Sequence, residues 1–147
     1  MVQKILIRSL VLFGIAGAVL IFSIEPAFCG GLPASEDITG VEWKWEQTLY
    51  GNDHKVVPDD ASHYTIRFNP DGILNIRADC NRAGGKYTRN GKSIAIEITH
   101  STMAACPPRS LEGPFLKDLT AGAIIFIKNG DLFLDLKFDS GTMKFRR

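Results

Sequence analysis

Apolar and polar side chains alternate along much of the chain after residue 40. Tyr64, Ile66 and Phe68 share one side of such a stretch, and Leu136 and Phe138 share a side in another. This period of two places an apolar face toward a core and a polar face toward water, as in an antiparallel sheet. We expect about eight short strands, at 43–49, 63–68, 73–79, 85–88, 93–99, 123–128, 131–138 and 142–146.

Turn residues lie between these stretches. Asn69-Pro70-Asp71-Gly72 has Pro where a turn needs a fixed negative φ and Gly where it needs a positive φ. Asn90-Gly91 and Asn129-Gly130 are dipeptides of the kind that type I′ turns prefer. Strands joined by such short turns predict hairpins.

One segment departs from the period of two. Ser110 can cap a helix that ends at Gly122, and Pro114 falls in its first turn, where backbone N–H groups have no intrahelical partner. Four apolar residues share one stripe of this helix: Leu111, Phe115, Leu116 and Leu119. We therefore predict an α+β fold, a curled antiparallel sheet or half-barrel with one helix inserted near residues 110–121.

The N-terminal segment has the composition of a secretory signal. Lys4 and Arg8 precede an uncharged apolar run of about fifteen residues, shorter than the roughly 20 residues that span a bilayer. Cleavage is expected near Cys29 and Gly30, which would make the protein periplasmic or secreted. The predicted organisation is a signal peptide at 1–29, a short tether at 30–40 and one domain at 41–147.

Two other interpretations of this segment stay open. The segment can remain as an uncleaved anchor, which would be the chain's contact with the membrane. It can also be a lipoprotein signal in which Cys29 is lipidated, although Phe28 stands where a small residue is expected. Soluble export is the interpretation that the short run and the following Glu25-Pro26 favour.

Removal of the signal changes the charge and the cysteine count. Two of the 17 Lys and Arg and one of the 16 Asp and Glu lie in the signal, so equal numbers of each sign remain. This balance lacks the basic surplus that is typical of nucleic-acid binding. Cys80 and Cys106 remain after Cys29 leaves, and two cysteines in an exported domain predict one disulfide. A pair of free or metal-binding thiols is the alternative.

Short motifs follow one another in a definite order from Tyr64 onward. They are Tyr64-Thr65-Ile66-Arg67-Phe68, Asp71-Gly72, Asp79-Cys80-Asn81-Arg82, Gly85-Lys86-Tyr87 and Thr102-Met103-Ala104-Ala105-Cys106. Together they resemble the META domain family, which includes HslJ-like heat-shock and envelope proteins. The resemblance implies an envelope or secreted location, a link to stress tolerance and no established catalytic activity. It singles out six motif positions: Asp79, Asn81, Arg82, Gly85, Tyr87 and Thr102.

No arrangement typical of catalysis or metal binding stands out in the sequence. His54, His63 and His100 have no ligand residue at metalloprotease spacing, and no Gly-x-Ser-x-Gly elbow occurs. We expect no enzyme activity, no metal and no cofactor. Trp43 and Trp45 fall on one side of the first strand, where they would line a groove for an apolar or sugar ligand or pack in the core.

These observations lead to one functional hypothesis and two alternatives. The hypothesis is a monomeric, non-catalytic exported protein that supports stress tolerance by binding an envelope protein or a small apolar ligand, and that binds no nucleic acid. The first alternative is an inhibitor of a secreted or periplasmic hydrolase, acting through loops at 51–62 and 81–85. The second is a carrier of a lipid or acyl chain held beneath the helix.

Overall fold

The structure, a computed structural model, describes residues 37–147. The expected signal peptide at 1–29, its cleavage site near Cys29 and most of the expected tether lie outside the described residues. The elements are β1 (Glu42–Tyr50), β2 (Lys55–Val56), β3 (Tyr64–Phe68), β4 (Ile73–Ala78), β5 (Asn81–Asn90), β6 (Ser93–Ser101), α1 (Glu112–Ala121), β7 (Gly122–Lys128), β8 (Asp131–Leu136) and β9 (Gly141–Arg146).

The sheet closes on itself and forms a barrel. Its strands follow the order β2-β1-β3-β4-β5-β6-β7-β8-β9, and β1 also pairs with β9. All neighbours are antiparallel, and every strand except β2 belongs to the closed ring. The expected half-barrel is therefore wrong. Closure occurs because the first residues of β1 pair with β3 while Lys44–Tyr50 pair with β9, so both sheet edges are used.

The narrowest join in the barrel lies between β6 and β7. These strands share one residue pair, Ser93 with Ile124, and the Ile125 N–H donates to the Lys92 carbonyl at 2.7 Å. Helix α1 precedes β7 in the chain and inserts Phe115 and Leu119, both completely buried, into the core. The helix therefore contributes to the barrel core and leads directly into β7.

Large side chains fill the interior of the barrel. An aromatic cluster surrounds Phe115, whose ring lies 5.0 Å from Trp45, 5.5 Å from Tyr64 and 6.4 Å from Phe145 between centroids. Further residues with no exposed surface are Trp43, Ile66, Phe68, Leu74, Ile125, Leu132, Leu134 and Met143. Removal of apolar surface from water stabilises such a core by about 25 cal/mol for each Å².

A bulge in β1 changes which side chain points inward. The register against β9 shifts between Trp45 and Gln47, so that two residues of β1 oppose one residue of its partner. Thr48 is buried as a result, where the simple alternation predicts Gln47. The Trp45 indole N–H donates to the Thr48 hydroxyl at 3.1 Å, which satisfies both groups inside the barrel.

The helix and its ends follow the prediction with small differences. Leu111 is the N-cap residue, and no side chain caps the first turn in the usual manner, although the Glu112 N–H donates to the Ser110 hydroxyl at 3.3 Å. Pro114 lies in the first turn, as expected. Gly122 ends the helix with a negative φ, so a glycine is not needed there for its backbone conformation. The absence of a side chain serves packing, because a Cβ on Gly122 would lie 2.7 Å from the Leu134 side chain.

The turns differ in type from one another. Asn129 and Gly130 both have positive φ, as a type I′ turn requires. In the β5–β6 hairpin the loop is Gly91-Lys92, and Gly91 alone of the two has a positive φ, which is the type II′ pattern. The expected type I′ turn at Asn90-Gly91 is therefore wrong, because Asn90 is still paired with Ser93 in the ladder.

Strand β8 ends earlier than the alternation predicts. The chain leaves the ladder after Leu136 and enters a short 3-10 turn at Lys137–Asp139. Phe138 has φ 59° and is 98% exposed, so it does not share the buried face of Leu136. The connection to β9 needs left-handed residues at 138 and 139, and this turns the Phe138 ring away from the core.

The domain begins a few residues before Val41. Ile38 is buried, and the Trp43 indole N–H donates to its carbonyl at 3.0 Å. Thr39 forms a parallel bridge with Phe68. The last residues of the stretch expected to be a tether therefore belong to the barrel.

Candidate functional site

The motif positions gather around the start of β5. Cys80 and Cys106 form a disulfide, as predicted, and it ties the segment that follows β6 to the β4–β5 turn. The next residue, Asn81, is 1% exposed and lies on the inner side of β5. The disulfide and the Asn81 side chain therefore act on the same segment, residues 102–106.

Asn81 is the centre of a hydrogen-bond network. Its Oδ1 accepts from the Thr102 hydroxyl at 2.7 Å and from the Ala104 N–H at 2.8 Å. Its Nδ2 donates to the Ala104 carbonyl at 3.1 Å and to Glu112 Oε2 at 3.0 Å, and lies 3.4 Å from Cys106 Sγ. The buried amide thus has partners for both its oxygen and its nitrogen.

The Asn81 network joins three elements that are distant in sequence. Glu112 begins α1, so the bond from Asn81 connects β5 to the first turn of the helix, where a carboxylate is favourable. The Thr102 hydroxyl also accepts from the Arg82 N–H at 3.0 Å. The geometry assigns Asn81 and Thr102 a positioning role in the fold, and their polar atoms are occupied by protein partners.

Asp79 shapes the turn that precedes the disulfide. It has φ 57°, so the left-handed residue of this motif is Asp79 and not Asn81. Its N–H donates to the His63 carbonyl at 2.7 Å, and its carboxylate lies 3.3 Å from His63 Nδ1. Asp60 approaches the other ring nitrogen at 3.9 Å. Within residues 37–147, no group of three or more acidic, His or Cys side chains is placed to hold a metal ion.

Gly85 and Tyr87 serve backbone packing. A bulge lies between Gly84 and Gly85, and a Cβ on Gly85 would lie 1.9 Å from the Glu97 carbonyl oxygen. The Tyr87 hydroxyl donates to the Asn69 carbonyl at 2.7 Å, and its ring packs edge-on against Phe68. These two motif residues therefore hold β5 against β6 and against the β3–β4 turn.

Trp43 and Trp45 do not line a groove. Both are completely buried, and both indole N–H groups donate to protein acceptors. The prediction that these two side chains line a ligand groove is therefore wrong. Their role is to pack in the core. The interior side of β1 faces the aromatic cluster around Phe115 in a closed barrel.

The outer surface of β3, β4 and β5 carries a cluster of arginines. Arg77 and Arg82 are directly opposite each other in the β4–β5 ladder. Arg67 is opposite Asn75, which makes it the diagonal neighbour of Arg77. With Glu42 and His100 at its two sides, this surface forms an open groove of about 580 Å³, which we call the arginine groove. Thr102 also lines it, so two motif residues, Arg82 and Thr102, face the groove.

Gly84 lies beneath the His100 ring, at one side of the arginine groove. Gly84 pairs with Asn75 on one side and His100 on the other. A Cβ on Gly84 would lie 2.6 Å from the His100 ring, so the imidazole lies across this glycine. The absence of a side chain at Gly84 thus lets the His100 ring pack closely against the sheet beside the groove.

The arginines differ in how they are held. Arg77 Nη1 donates to the Ser62 carbonyl at 3.3 Å and its Nε approaches the Asp79 carbonyl at 3.5 Å. In the part of the chain that the structure describes, Arg67 and Arg82 have no side-chain hydrogen bond or ion pair. Their guanidinium donors are therefore available to solvent or to a ligand. Arg67 and Arg77 lie outside the positions that sequence reasoning selected, and strand register was the information needed to join them to Arg82.

A second buried polar group lies beneath the helix. Asp118 is 4% exposed, and its carboxylate accepts from the Tyr50 hydroxyl at 2.6 Å. Burial raises the pKa of Asp118 above its ordinary value, although hydrogen bonds from Tyr50 and Thr48 act in the opposite direction. Burial, together with the bond to Asp118, also raises the pKa of Tyr50. This pair fixes α1 to β1 and does not border the arginine groove.

Comparison with known proteins identifies the domain. A family model described as META domain matches residues 36–147. No curated protein matches the chain. In residues 37–147, no helix is long and apolar enough to cross a membrane.

Two solved structures share the fold. An NMR structure of a protein from Burkholderia xenovorans has a TM-score of 0.61 at 18% identity, and the match covers 84% of this chain and 96% of that one. A crystal structure of a DUF4847 family protein from Bacteroides vulgatus ATCC 8482 has a TM-score of 0.55 at 12% identity, over 74% of this chain and 93% of that one. At these identities the likeness concerns the fold alone.

Proposed function

Since this chain belongs to the META domain family, we propose that it is an exported, non-catalytic binding domain that supports stress tolerance in the cell envelope. The observation that carries the proposal is the contrast between a filled, disulfide-bonded barrel and an open groove on its outer wall. A domain of this kind binds with its surface and uses its interior for stability.

The hydrogen bonds of two motif residues support a non-catalytic role. Asn81 and Thr102 direct their polar atoms at each other, at the backbone of Ala104 and at Glu112. A catalytic acid or base needs a proton that it can exchange with a substrate, whereas these amide and hydroxyl groups are engaged by protein partners. The network therefore supports a rigid scaffold.

Export is supported by the disulfide and by the N-terminal sequence. Disulfides persist in oxidising compartments such as the periplasm and the extracellular space. Cys80 and Cys106 are joined, and Cys29 lies at the expected cleavage site, after the apolar run that resembles a signal. These two features together favour a periplasmic or secreted protein.

The filled core bears on the choice of ligand. The second alternative places an acyl chain beneath the helix, where the completely buried side chains of Phe115 and Leu119 lie. One of the two segments expected to act as inhibitory loops, 81–85, lies within β5. We therefore propose a polar ligand or an envelope partner at the outer wall, in preference to an apolar molecule inside the barrel.

A complementation experiment tests this function. A strain that lacks the gene is challenged with envelope stress and complemented with the full chain or with a chain that lacks residues 1–29. We expect the full chain to restore growth and the shortened chain to fail at equal expression. Equal rescue by both would contradict the role of export, and normal growth of the deletion strain under every envelope stress would contradict the stress role.

A further inference from the structure

We propose that the arginine groove is a binding site for a soluble small molecule that carries two oxyanionic groups, phosphate or carboxylate. This inference rests on the proposed binding role, and it names the chemistry of the ligand. The groove is formed on the outer surface of β3, β4 and β5, with Arg67, Arg77 and Arg82 as its cationic residues.

The first argument is the close approach of like charges. Arg77 and Arg82 are a directly opposed pair, which in an antiparallel ladder places their Cβ atoms about 5 Å apart. Like charges in this position destabilise a sheet. In residues 37–147, Arg82 has no ion-pair partner to offset the repulsion. An anion between the two guanidinium groups would remove it.

The second argument is the geometry of the donors. Guanidinium groups bind phosphate and carboxylate through N–H donors. Arg82 supplies its full set of donors and Arg77 supplies the donors that it does not direct at the Ser62 and Asp79 carbonyls, so the two side chains provide a site for one oxyanion. Arg67 lies two strands and two residue positions from Arg82, a separation of about 12 Å between backbones. Glu42 is opposite Arg67 in the β1–β3 ladder but forms no ion pair with it in the described residues, so the Arg67 guanidinium can bind a second oxyanion of the same molecule across the groove.

The third argument concerns the surroundings of the groove. Its volume of about 580 Å³ lies in the range that small-molecule sites occupy. The large apolar side chains with the most exposure are Leu49, Val57, Ile73, Met103, Ile124 and Phe138, and none of them lines the groove. Membrane-surface sites combine cations with apolar side chains that insert between lipids. A soluble ligand therefore fits this groove better than a lipid headgroup.

Titration calorimetry on the purified protein, with its disulfide intact, tests the proposal. The probes are inorganic pyrophosphate, citrate and inorganic phosphate at constant ionic strength. We expect saturable binding of pyrophosphate or citrate at one site, and binding of inorganic phosphate at least about tenfold weaker because it engages one arginine pair. Tighter binding of pyrophosphate would identify phosphate as the oxyanion, and tighter binding of citrate would identify carboxylate.

Two variants and a matched control locate the site. Arg82→Gln and Arg67→Gln remove exposed side chains without structural partners, and each should weaken binding about tenfold. Arg89→Gln removes the same charge from the far end of β5, outside the groove, and should change affinity less than about twofold. Thermal unfolding of each variant establishes that it is folded before titration.

The proposal is overturned by three results. They are the absence of saturable binding of pyrophosphate and citrate up to millimolar concentration, equal weakening by Arg89→Gln, and phosphate binding as strong as that of the larger probes. Co-sedimentation of the protein with vesicles of phosphatidylcholine and phosphatidylglycerol tests a lipid headgroup as the ligand. Binding to these vesicles without binding to the soluble probes would overturn the proposal of a soluble ligand. Failure of these titrations leaves the complementation test unaffected, so the ligand and the general function are judged separately.

Discussion

Strand β5 carries two neighbouring residues that face opposite sides of the barrel wall. Asn81 points inward, is almost completely buried and has a protein partner for every polar atom. Arg82 points outward and lies opposite Arg77, with no ion pair in the described part of the chain. The comparison indicates that the inner region stabilises the fold, while the outer region leaves donors free at some cost in electrostatic repulsion. Variants on the two sides should therefore differ in what they change.

The largest expected loss of stability comes from the disulfide beside Asn81. Replacing both Cys80 and Cys106 by Ala removes a crosslink between residues that are 26 positions apart in the chain. This should lower the free energy of unfolding by roughly 3–4 kcal/mol, because the unfolded chain is no longer constrained. Urea unfolding of the oxidised protein and of the double variant measures the difference. Dithiothreitol should destabilise the parent protein alone, and an equal effect on the variant would contradict the assignment.

The next effect tests the inner network directly. Asn81→Ala leaves the Ala104 N–H and the Glu112 carboxylate without their partner, and should lower the free energy of unfolding by about 2–3 kcal/mol. Asn75→Ala is the matched control, because Asn75 is exposed on the outer face of β4. Urea unfolding should place the control within about 0.5 kcal/mol of the parent. Equal losses in the two variants would remove the distinction between the inner and outer regions.

A smaller effect is expected at the buried carboxylate on α1. Because the pKa of folded Asp118 is raised above 3.8, its protonated form favours the fold at low pH, and that contribution declines as pH rises through the folded value. The charge also lies near the C-terminal end of the helix, where it is unfavourable. Asp118→Asn should remove this decline and raise stability at pH 7 by about 1 kcal/mol.

Unfolding measured from pH 3 to pH 8 checks the Asp118 prediction. Asp59→Asn, at an exposed position in the loop before β3, serves as the control and should keep the pH dependence of the parent. A lower stability of Asp118→Asn at pH 7 would mean that the ionised carboxylate is needed by Tyr50 and Thr48.

The smallest effect on stability is expected in the arginine groove. Arg82→Gln and Arg67→Gln should change the free energy of unfolding by less than about 0.5 kcal/mol, and Arg82→Gln should raise it slightly because a like-charge pair is removed. Thermal unfolding at low and high salt checks this, since screening should reduce the gain. A large loss of stability would show that these arginines hold the fold in the same way as the Asn81 network.

Much of the secondary structure was predictable from local patterns. Period-two alternation identified β3, β6 and β7 to within two residues at their ends, and the apolar stripe identified α1. The start of β5 was missed because Asn81, Arg82 and Gly84 lack the alternation of an ordinary strand. Phe138 was placed in the core because periodicity carries no information about where a strand leaves its ladder.

The candidate site was predictable only in part. The motif cluster and the Cys80–Cys106 pair followed from cysteine number and from the resemblance. The arginine groove depends on the register that sets Arg77 opposite Arg82 and Arg67 opposite Asn75, pairs that are 5 and 8 positions apart in the chain. Two strand ladders must form before these charges meet, so local sequence does not reveal them.

The sequence by itself determined most of the strands, the helix and the two cysteines of the domain, because alternation, the apolar stripe and turn chemistry act over a few residues. The tertiary structure decided that β1 joins β9 to close the barrel, that Trp43 and Trp45 lie in the core, and that Asn81 holds α1 against β5. These features depend on contacts between residues far apart in the chain. Barrel closure sets which face of each strand is inside, and it thereby leaves Arg82 on the outer wall beside two other arginines.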